Sequence, residues 1–137
     1  GERFGPALAA IVSGAAEPGG RLPVTMPDSV ESIPIAETTD EARLEYTEGT
    51  LVGYRGYEAA GVEPAYWFGH GLGYAQIAVE VVDADATGAR VRLRCGPERG
   101  GKAVVQLYGR AEDARAAVFC GWHVERLEAG ESREVHV

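Results

Sequence analysis

The chain has 137 residues and a net charge of −8, with 45% hydrophobic and 25% charged residues. These fractions are typical of a globular protein, which excludes a disordered acidic tail and a collagen-like repeat. No apolar run approaches the ~18 residues that cross a bilayer, and no Lys/Arg cluster offers a surface for phosphates, so we expect neither a membrane nor a nucleic-acid partner.

The first predicted element is a short helix over residues 5–13. Leu8, Ile11 and Val12 recur at spacings of three and four, which places them on one helical stripe. Gly14 stands where a helix C-cap belongs. The pattern therefore predicts one helix that ends near residue 13.

Irregular segments rich in Pro and Gly follow this helix. Residues 21–27 contain two prolines, which indicates an edge strand or a buried extended arm. Residues 28–47 are acidic and lack periodicity, as a surface loop does. Residues 48–57 and 64–74 crowd aromatic side chains between glycines, so we expect them to approach other backbone closely.

From residue 75 onward the hydrophobic pattern has a period of two, which predicts half-buried antiparallel strands. The strands are predicted around Ile77–Val81, Val91–Cys95, Lys102–Gly109, Ala117–Trp122 and Arg133–Val137. An immunoglobulin-like sandwich has about seven strands, so at least two strands are missing. We therefore expect the inner-face residues Val91, Leu93, Val105 and Leu107 to lack part of their cover.

Few residues stand out as candidates for chemistry. His70 lies between two glycines and could act as a general base, but no Ser or Cys in a nucleophile context accompanies it, so a structural role is favoured. Glu48 and Arg55 lie in an aromatic, glycine-rich segment, where they could line a sugar-binding cleft or form a buried ion pair. Glycoside hydrolysis requires an acid and nucleophile pair, and the spacing of the available carboxylates does not define one. These carboxylates are Glu48, Glu58, Glu63 and the Asp40/Glu41 pair.

Other side chains are assigned to the core. A large aromatic beside Gly in a β-rich chain is more often core than sugar platform, so Trp67 and Trp122 are predicted to be buried. Cys95 shares a strand face with valine and leucine and is predicted to be a small buried hydrophobe. The two cysteines show no zinc-binding spacing, so neither a metal nor another cofactor is expected.

Six motifs in order resemble a known family. They are PGGRLPVTMP, EGTLVGYRGY, EPAYWFGHGLGY, VVQLYG, CGW and LEAGES, which begin at residues 18, 48, 63, 104, 120 and 127. Together they resemble the carboxyl-terminal part of family 3 glycoside hydrolases of the β-glucosidase type. The chain departs from that family at Gly56, where an aromatic is usual, at Gly73, where Ser is usual, and at Trp122, where Phe is usual.

The resemblance implies an α+β fragment of a larger enzyme. Residues 1–73 would end an α/β sandwich domain, and residues 74–137 would begin an incomplete fibronectin type III-like antiparallel β-sandwich. The remainder, an amino-terminal (β/α)8 barrel and the rest of the α/β domain, would precede residue 1. The implied activity is retaining hydrolysis of terminal β-D-glucosyl or related residues, with a β-glycoside as substrate.

The resemblance also limits what this chain contributes. The family's nucleophile and acid/base residues match no position in this sequence, so no catalytic residue is assigned. Glu48, Tyr54, Arg55 and His70 match the EGxxVGYR and FGHGL motifs and are expected to bind substrate or to support the site. The alternative is a stand-alone accessory or carbohydrate-binding sandwich module without catalysis.

Overall fold

A computed structural model describes residues 2–34 and 46–137. Within them lie helix α1 (Phe4–Val12), a 3-10 turn (Val30–Ser32) and helix α2 (Tyr54–Ala60). Helix α1 confirms the helix predicted for residues 5–13, and Gly14 beyond its end has a positive φ of 77°. The loop predicted for residues 28–47 falls partly outside the described residues.

Five antiparallel strands follow the helices: β1 (Ile77–Asp85), β2 (Gly88–Cys95), β3 (Gly101–Gly109), β4 (Val118–Leu127) and β5 (Ser132–His136). They form a three-stranded sheet in the order β1-β2-β5 and a two-stranded sheet of β3 and β4. Few helices and two antiparallel sheets confirm the expected α+β fold class.

The described residues divide into two compact units. The sandwich unit consists of residues 2–20, 71–107 and 120–137. The arm unit consists of residues 21–34, 46–70 and 108–119. Each unit therefore includes residues from both sides of position 74.

The core of the sandwich unit centres on β2. Its residues Val91, Leu93 and Cys95 are buried, with Leu93 fully enclosed, and side chains of β3, β4 and β5 complete the cluster. The burial of Cys95 confirms its predicted role. Because Val91 and Leu93 of β2 share one buried cluster with Val105 of β3 and Leu127 of β4, the expectation that Val91, Leu93 and Val105 lack cover was wrong.

The uncovered inner face lies instead on the edge strand β1. Val79 is paired with Leu93 and Val81 with Val91, so the two β1 residues share the face of those buried partners. Nevertheless Val79 is 55% and Val81 64% exposed. Ile77 at the start of β1 packs against the core, and the inner face of β1 beyond it is left uncovered.

Trp122 corrects a second expectation. It is 65% exposed on β4, not buried in the core. Along β4 the exposed residues alternate with less exposed ones, and Leu127, which is buried in the core, is out of phase with Trp122. The outward side of this strand therefore carries Trp122 together with the exposed Cys120 and Val124.

Within the sandwich unit, Glu17 fixes the segment that follows α1. Its Oε1 accepts hydrogen bonds from the backbone N–H groups of Tyr74 and Ala75, at 3.0 and 3.2 Å. Its Oε2 forms an ion pair with Arg99 at 3.3 Å, and Arg99 also donates to the carbonyl of Gly14 at 2.7 Å. The contacts hold the chain on both sides of position 74 in one unit.

Candidate functional site

Helix α2 belongs to the arm unit, and a glycine lies at each of its ends. Gly53 precedes it with φ 55° and ψ −136°, a conformation that side chains disfavour. Gly61 follows it in the left-handed region, where the Gly61 and Val62 N–H groups donate to the carbonyls of Glu58 and Tyr57. These two bonds form a Schellman cap. This helix was not predicted from the sequence.

Tyr54, one of the expected site residues, opens α2 and contacts two other aromatic side chains and the backbone of a third aromatic residue. Its ring stacks on Phe68 at 5.7 Å between centroids and meets Tyr108 edge-on at 5.6 Å. Its hydroxyl oxygen accepts the backbone N–H of Phe119 at 2.8 Å. Burial, followed by the nearby Tyr54, raises the pKa of the Tyr108 phenol. Tyr54 therefore ties α2 to the strands that flank the β3–β4 loop.

Glu58 holds that same loop at its two ends. One carboxylate oxygen accepts a hydrogen bond from the guanidinium of Arg110, which lies just after β3, and forms an ion pair with it. The other accepts the backbone N–H of Ala117, just before β4, at 2.8 Å. One side chain of α2 thus closes the loop of residues 110–117. The sequence offered Glu58 only as one carboxylate among several.

Arg55 and His70 contact other segments. Arg55 donates to the Thr50 hydroxyl at 3.2 Å, and its buried Nε has no hydrogen-bond partner. His70 is exposed, and its ring lies 4.9 Å from that of Tyr66. Its backbone carbonyl, rather than its imidazole, accepts the Leu22 N–H at 2.8 Å. This backbone bond helps to hold the extended arm of residues 21–27.

The arm itself pairs with the segment of residues 66–70. Met26 and Tyr66 exchange two backbone hydrogen bonds as an isolated antiparallel bridge. The Gly69 N–H donates to the Leu22 carbonyl, and the Phe68 N–H donates to the Thr25 hydroxyl. Because Met26 is substantially exposed, the segment is an edge arm rather than a buried one.

Glu48, another of the expected site residues, lines a cavity. The cavity has a volume of about 300 Å³ and is bounded by Gly56 and Ala60 of α2. Thr47 and Glu48 line it from the preceding turn, and Arg115 from the β3–β4 loop. The sequence analysis gave no sign of Arg115, because its loop reaches this cavity only through tertiary structure.

The described residues contain neither a metal-ligand cluster nor a membrane-spanning helix. Residues 2–34 and 46–137 contain no group of three or more His, Cys, Asp or Glu side chains arranged to hold a metal ion. In the same residues, neither helix has the length and apolar character of a membrane-spanning segment.

Comparison with known proteins identifies the family. Residues 1–74 match the model of the glycosyl hydrolase family 3 C-terminal domain. The chain belongs to glycosyl hydrolase family 3. The resemblance drawn from the six motifs is thereby confirmed.

Relatives in family 3 are much longer than this chain. Thermostable beta-glucosidase B of Acetivibrio thermocellus is 34% identical over 128 residues, which cover 86% of this chain and 17% of that protein. An exo-alpha-(1->6)-L-arabinopyranosidase of Bifidobacterium longum is 32% identical over 148 residues, covering all of this chain and 20% of that protein. The chain thus spans about a fifth or less of their lengths and corresponds to a C-terminal portion.

A solved family 3 structure matches the fold. Beta-glucosidase 3B from Thermotoga neapolitana, in complex with glycerol, superposes with a TM-score of 0.85 and 30% sequence identity. The superposition covers 100% of this chain and 21% of that one. The fold of the described residues is therefore shared with a segment of that protein.

Proposed function

We propose that this chain serves as the C-terminal portion of a retaining glycoside hydrolase that removes terminal β-linked glucosyl or related residues. The observation that carries the proposal is the family match over residues 1–74, together with a fold shared with β-glucosidase 3B. The sugar is not specified beyond this class, because relatives of similar identity are named for glucosides and for an arabinopyranoside.

We further propose that residues 1–73 complete the α/β sandwich domain and residues 74–137 begin the fibronectin-like domain. In this proposal Tyr54 and Arg55 are supporting groups, because their polar atoms contact Phe119 and Thr50 within the arm unit. His70 supports the same region through its backbone bond to Leu22. Glu48 faces a cavity and is the one member of this set proposed to contact a ligand.

An accessory sugar-binding sandwich is the weaker alternative. Its surface would need an exposed aromatic with hydrogen-bonding neighbours, since sugars present both apolar faces and hydroxyls. Trp122 is exposed, but its neighbours on the same strand face are Cys120 and Val124. Neither neighbour offers the strong polar partner that a sugar hydroxyl requires.

Activity assays on two proteins test the proposed function. The 137-residue chain should not release nitrophenol from an aryl β-glucoside, since it supplies neither nucleophile nor acid/base residue. The protein encoded by the full reading frame should release it, with retained anomeric configuration in the first sugar product. Turnover by the purified 137-residue chain above a mock preparation would contradict the assignment, as would inversion by the longer protein.

A further inference from the structure

Helix α1 is apolar over its whole length, yet none of its residues is buried. Its nine residues, FGPALAAIV, include no charged or polar side chain. A helix that is hydrophobic on all sides is normally found inside a protein, because no side of it is suited to water. An exposed position is therefore not the environment that this sequence favours.

The large side chains of α1 point away from its own unit. Phe4, Leu8 and Val12 are spaced by four and follow one another along one stripe, here called the α1 face. They are 71%, 49% and 73% exposed. Ala10, on the opposite side, is the one residue of α1 that is only partly exposed, and its carbonyl accepts the Ala16 N–H of the chain that folds back beneath it. The helix thus rests on its small side chains and leaves the large ones uncovered.

The orientation of α1 is fixed from its C-terminal end. The Tyr74 hydroxyl donates to the Ile11 carbonyl at 2.7 Å, and Arg99 donates to the Gly14 carbonyl at 2.7 Å. The Arg99 guanidinium also lies 5.1 Å from the centre of the Tyr74 ring. None of these contacts uses the α1 face. The face is therefore held in position for a partner, which reduces the entropy lost when that partner binds.

The chemistry of the α1 face and the length of family 3 proteins point to one partner. The three side chains have no hydrogen-bonding group, so the surface that covers them is apolar. They present much less than the ~800 Å² that each subunit buries in a stable dimer, which disfavours a second copy. A surface of the same polypeptide pays no cost of association, and this chain spans only 17% and 20% of the two relatives described above. Most of a family 3 protein thus lies outside the portion that carries α1.

We propose that the α1 face is an interface with the rest of the enzyme, in which Phe4, Leu8 and Val12 pack against an apolar surface of the same polypeptide outside residues 1–137. The bonds of Tyr74 and Arg99 then join that surface, through α1, to the sandwich unit. The inference rests on the proposed function only in taking this chain as a portion of a longer hydrolase.

The test measures how fast a maleimide labels Leu8→Cys in the protein encoded by the full reading frame. Trypsin cleaves after Arg3 and Arg21, so mass spectrometry of the peptide of residues 4–21 reports this thiol without interference from other cysteines. The rate in the native protein is divided by the rate in denaturant. We expect native labelling to be slower by at least ~100-fold, because the thiol becomes accessible only when the interface opens. The protection should not depend on protein concentration.

Ala86→Cys is the matched control, because Ala86 is exposed in the turn between β1 and β2. It should be labelled at nearly the same rate in the native and the denatured protein. Equal native and denatured rates for Leu8→Cys overturn the proposal. Protection that disappears on dilution also overturns it and assigns the α1 face to a second copy.

Hydroxyl-radical footprinting of Phe4 makes the same comparison in the unsubstituted longer protein, so the test does not depend on the folding of Leu8→Cys. Phe4 should be oxidised much more slowly in the native protein than in denaturant, and equal rates overturn the proposal. Nitrophenol release is assayed on the same protein. An active protein with an unprotected α1 face overturns this inference alone, whereas a protected face in a protein without activity overturns the proposed function alone.

Discussion

At the scale of single residues, Glu58 is expected to stabilise the loop of residues 110–117, because its carboxylate has partners at both ends of that loop. Glu58→Gln removes the charge that pairs with Arg110 and weakens the bond to the Ala117 N–H. We expect the Ala117 amide to exchange with solvent at least tenfold faster, and the free energy of unfolding to fall by about 1–2 kcal/mol. Amide hydrogen exchange and chemical denaturation measure the two effects.

The control for this prediction is Glu112→Gln, which makes the same chemical change at an exposed position in the same loop. It should leave the exchange rate of the Ala117 amide unchanged and the free energy of unfolding within ~0.5 kcal/mol of the wild-type value. If Glu58→Gln leaves the exchange of Ala117 unchanged, the carboxylate does not hold the loop.

The residues that sequence reasoning missed share one physical property. Glu58 and Arg110 are 52 positions apart, and Glu58 and Ala117 are 59 apart. Local patterns carry no information about contacts at such separation. The motif residues Glu48, Tyr54, Arg55 and His70 were found by family resemblance, while their partners became visible only in the folded chain.

At the scale of elements, the period-two alternation of apolar residues was sufficient to predict the strands of both sheets. All five strands were predicted within a few residues, because alternating burial leaves a direct mark on the sequence. Helix α2 was not predicted, since its seven residues YRGYEAA contain a glycine and are too few to show a helical period. Its ends depend on the unusual backbone of Gly53 and Gly61, which the sequence indicates only as possible turns.

Two helical glycines provide a matched test of packing. Gly56→Ala in α2 gains helix propensity of up to about 1 kcal/mol, but its Cβ would meet the Leu51 carbonyl at 2.5 Å. Overpacking against backbone costs about 1–3 kcal/mol, so the substitution should lower the free energy of unfolding. Gly5→Ala in α1 has no atom within 4 Å of the added carbon and should be neutral or stabilising. Thermal melts of the two variants should therefore shift differently, and a Gly56→Ala protein more stable than wild type would refute the close approach.

The hairpin between β1 and β2 is expected to make the stability of the fold depend on pH through Asp85. The Thr87 hydroxyl and backbone N–H both donate to Asp85 Oδ1, at 2.6 and 2.7 Å, and these bonds lower the pKa of Asp85. A carboxyl whose pKa is lower in the folded state stabilises the fold above its unfolded pKa, and the contribution is lost as the pH falls through the folded value.

Thr87→Val should therefore raise the pKa of Asp85 toward its ordinary value and reduce the loss of stability on acidification. Carboxyl ¹³C titration reports the pKa, and urea midpoints between neutral and acid pH report the stability. Thr87→Ser keeps the hydroxyl and should behave as the wild type. An unchanged Asp85 pKa in Thr87→Val would show that the hydroxyl is not its main determinant.

At the scale of the whole molecule, the negative charge is concentrated in the first part of the sequence. Residues 1–73 carry 11 acidic and 4 basic side chains, for −7, and residues 74–137 carry 10 and 9, for −1. In the second part, ion pairs such as Arg92 with Glu80 and Glu134 cross neighbouring strands. These pairs are solvent-exposed and contribute little to stability individually. The stability of the sandwich unit therefore depends on how much of its apolar surface is covered.

That cover is incomplete in the sandwich unit. Val79 and Val81 on β1, together with Trp122 and Val124 on β4, remain substantially exposed. Each uncovered side chain forfeits roughly 1.5–3 kcal/mol, against about 5–15 kcal/mol for a whole domain. We expect the isolated chain to self-associate through these strands, whereas a chain extended by the family's closing strands should be monomeric and melt cooperatively.

Sedimentation tests this prediction. The double variant Val81→Thr and Trp122→Ser should sediment with a larger monomer fraction than the wild-type chain. Leu72→Ser, which alters an exposed leucine outside any strand, should sediment as wild type. A wild-type chain that is monomeric and melts as sharply and as high as the extended one would mean that the sandwich is complete without further strands.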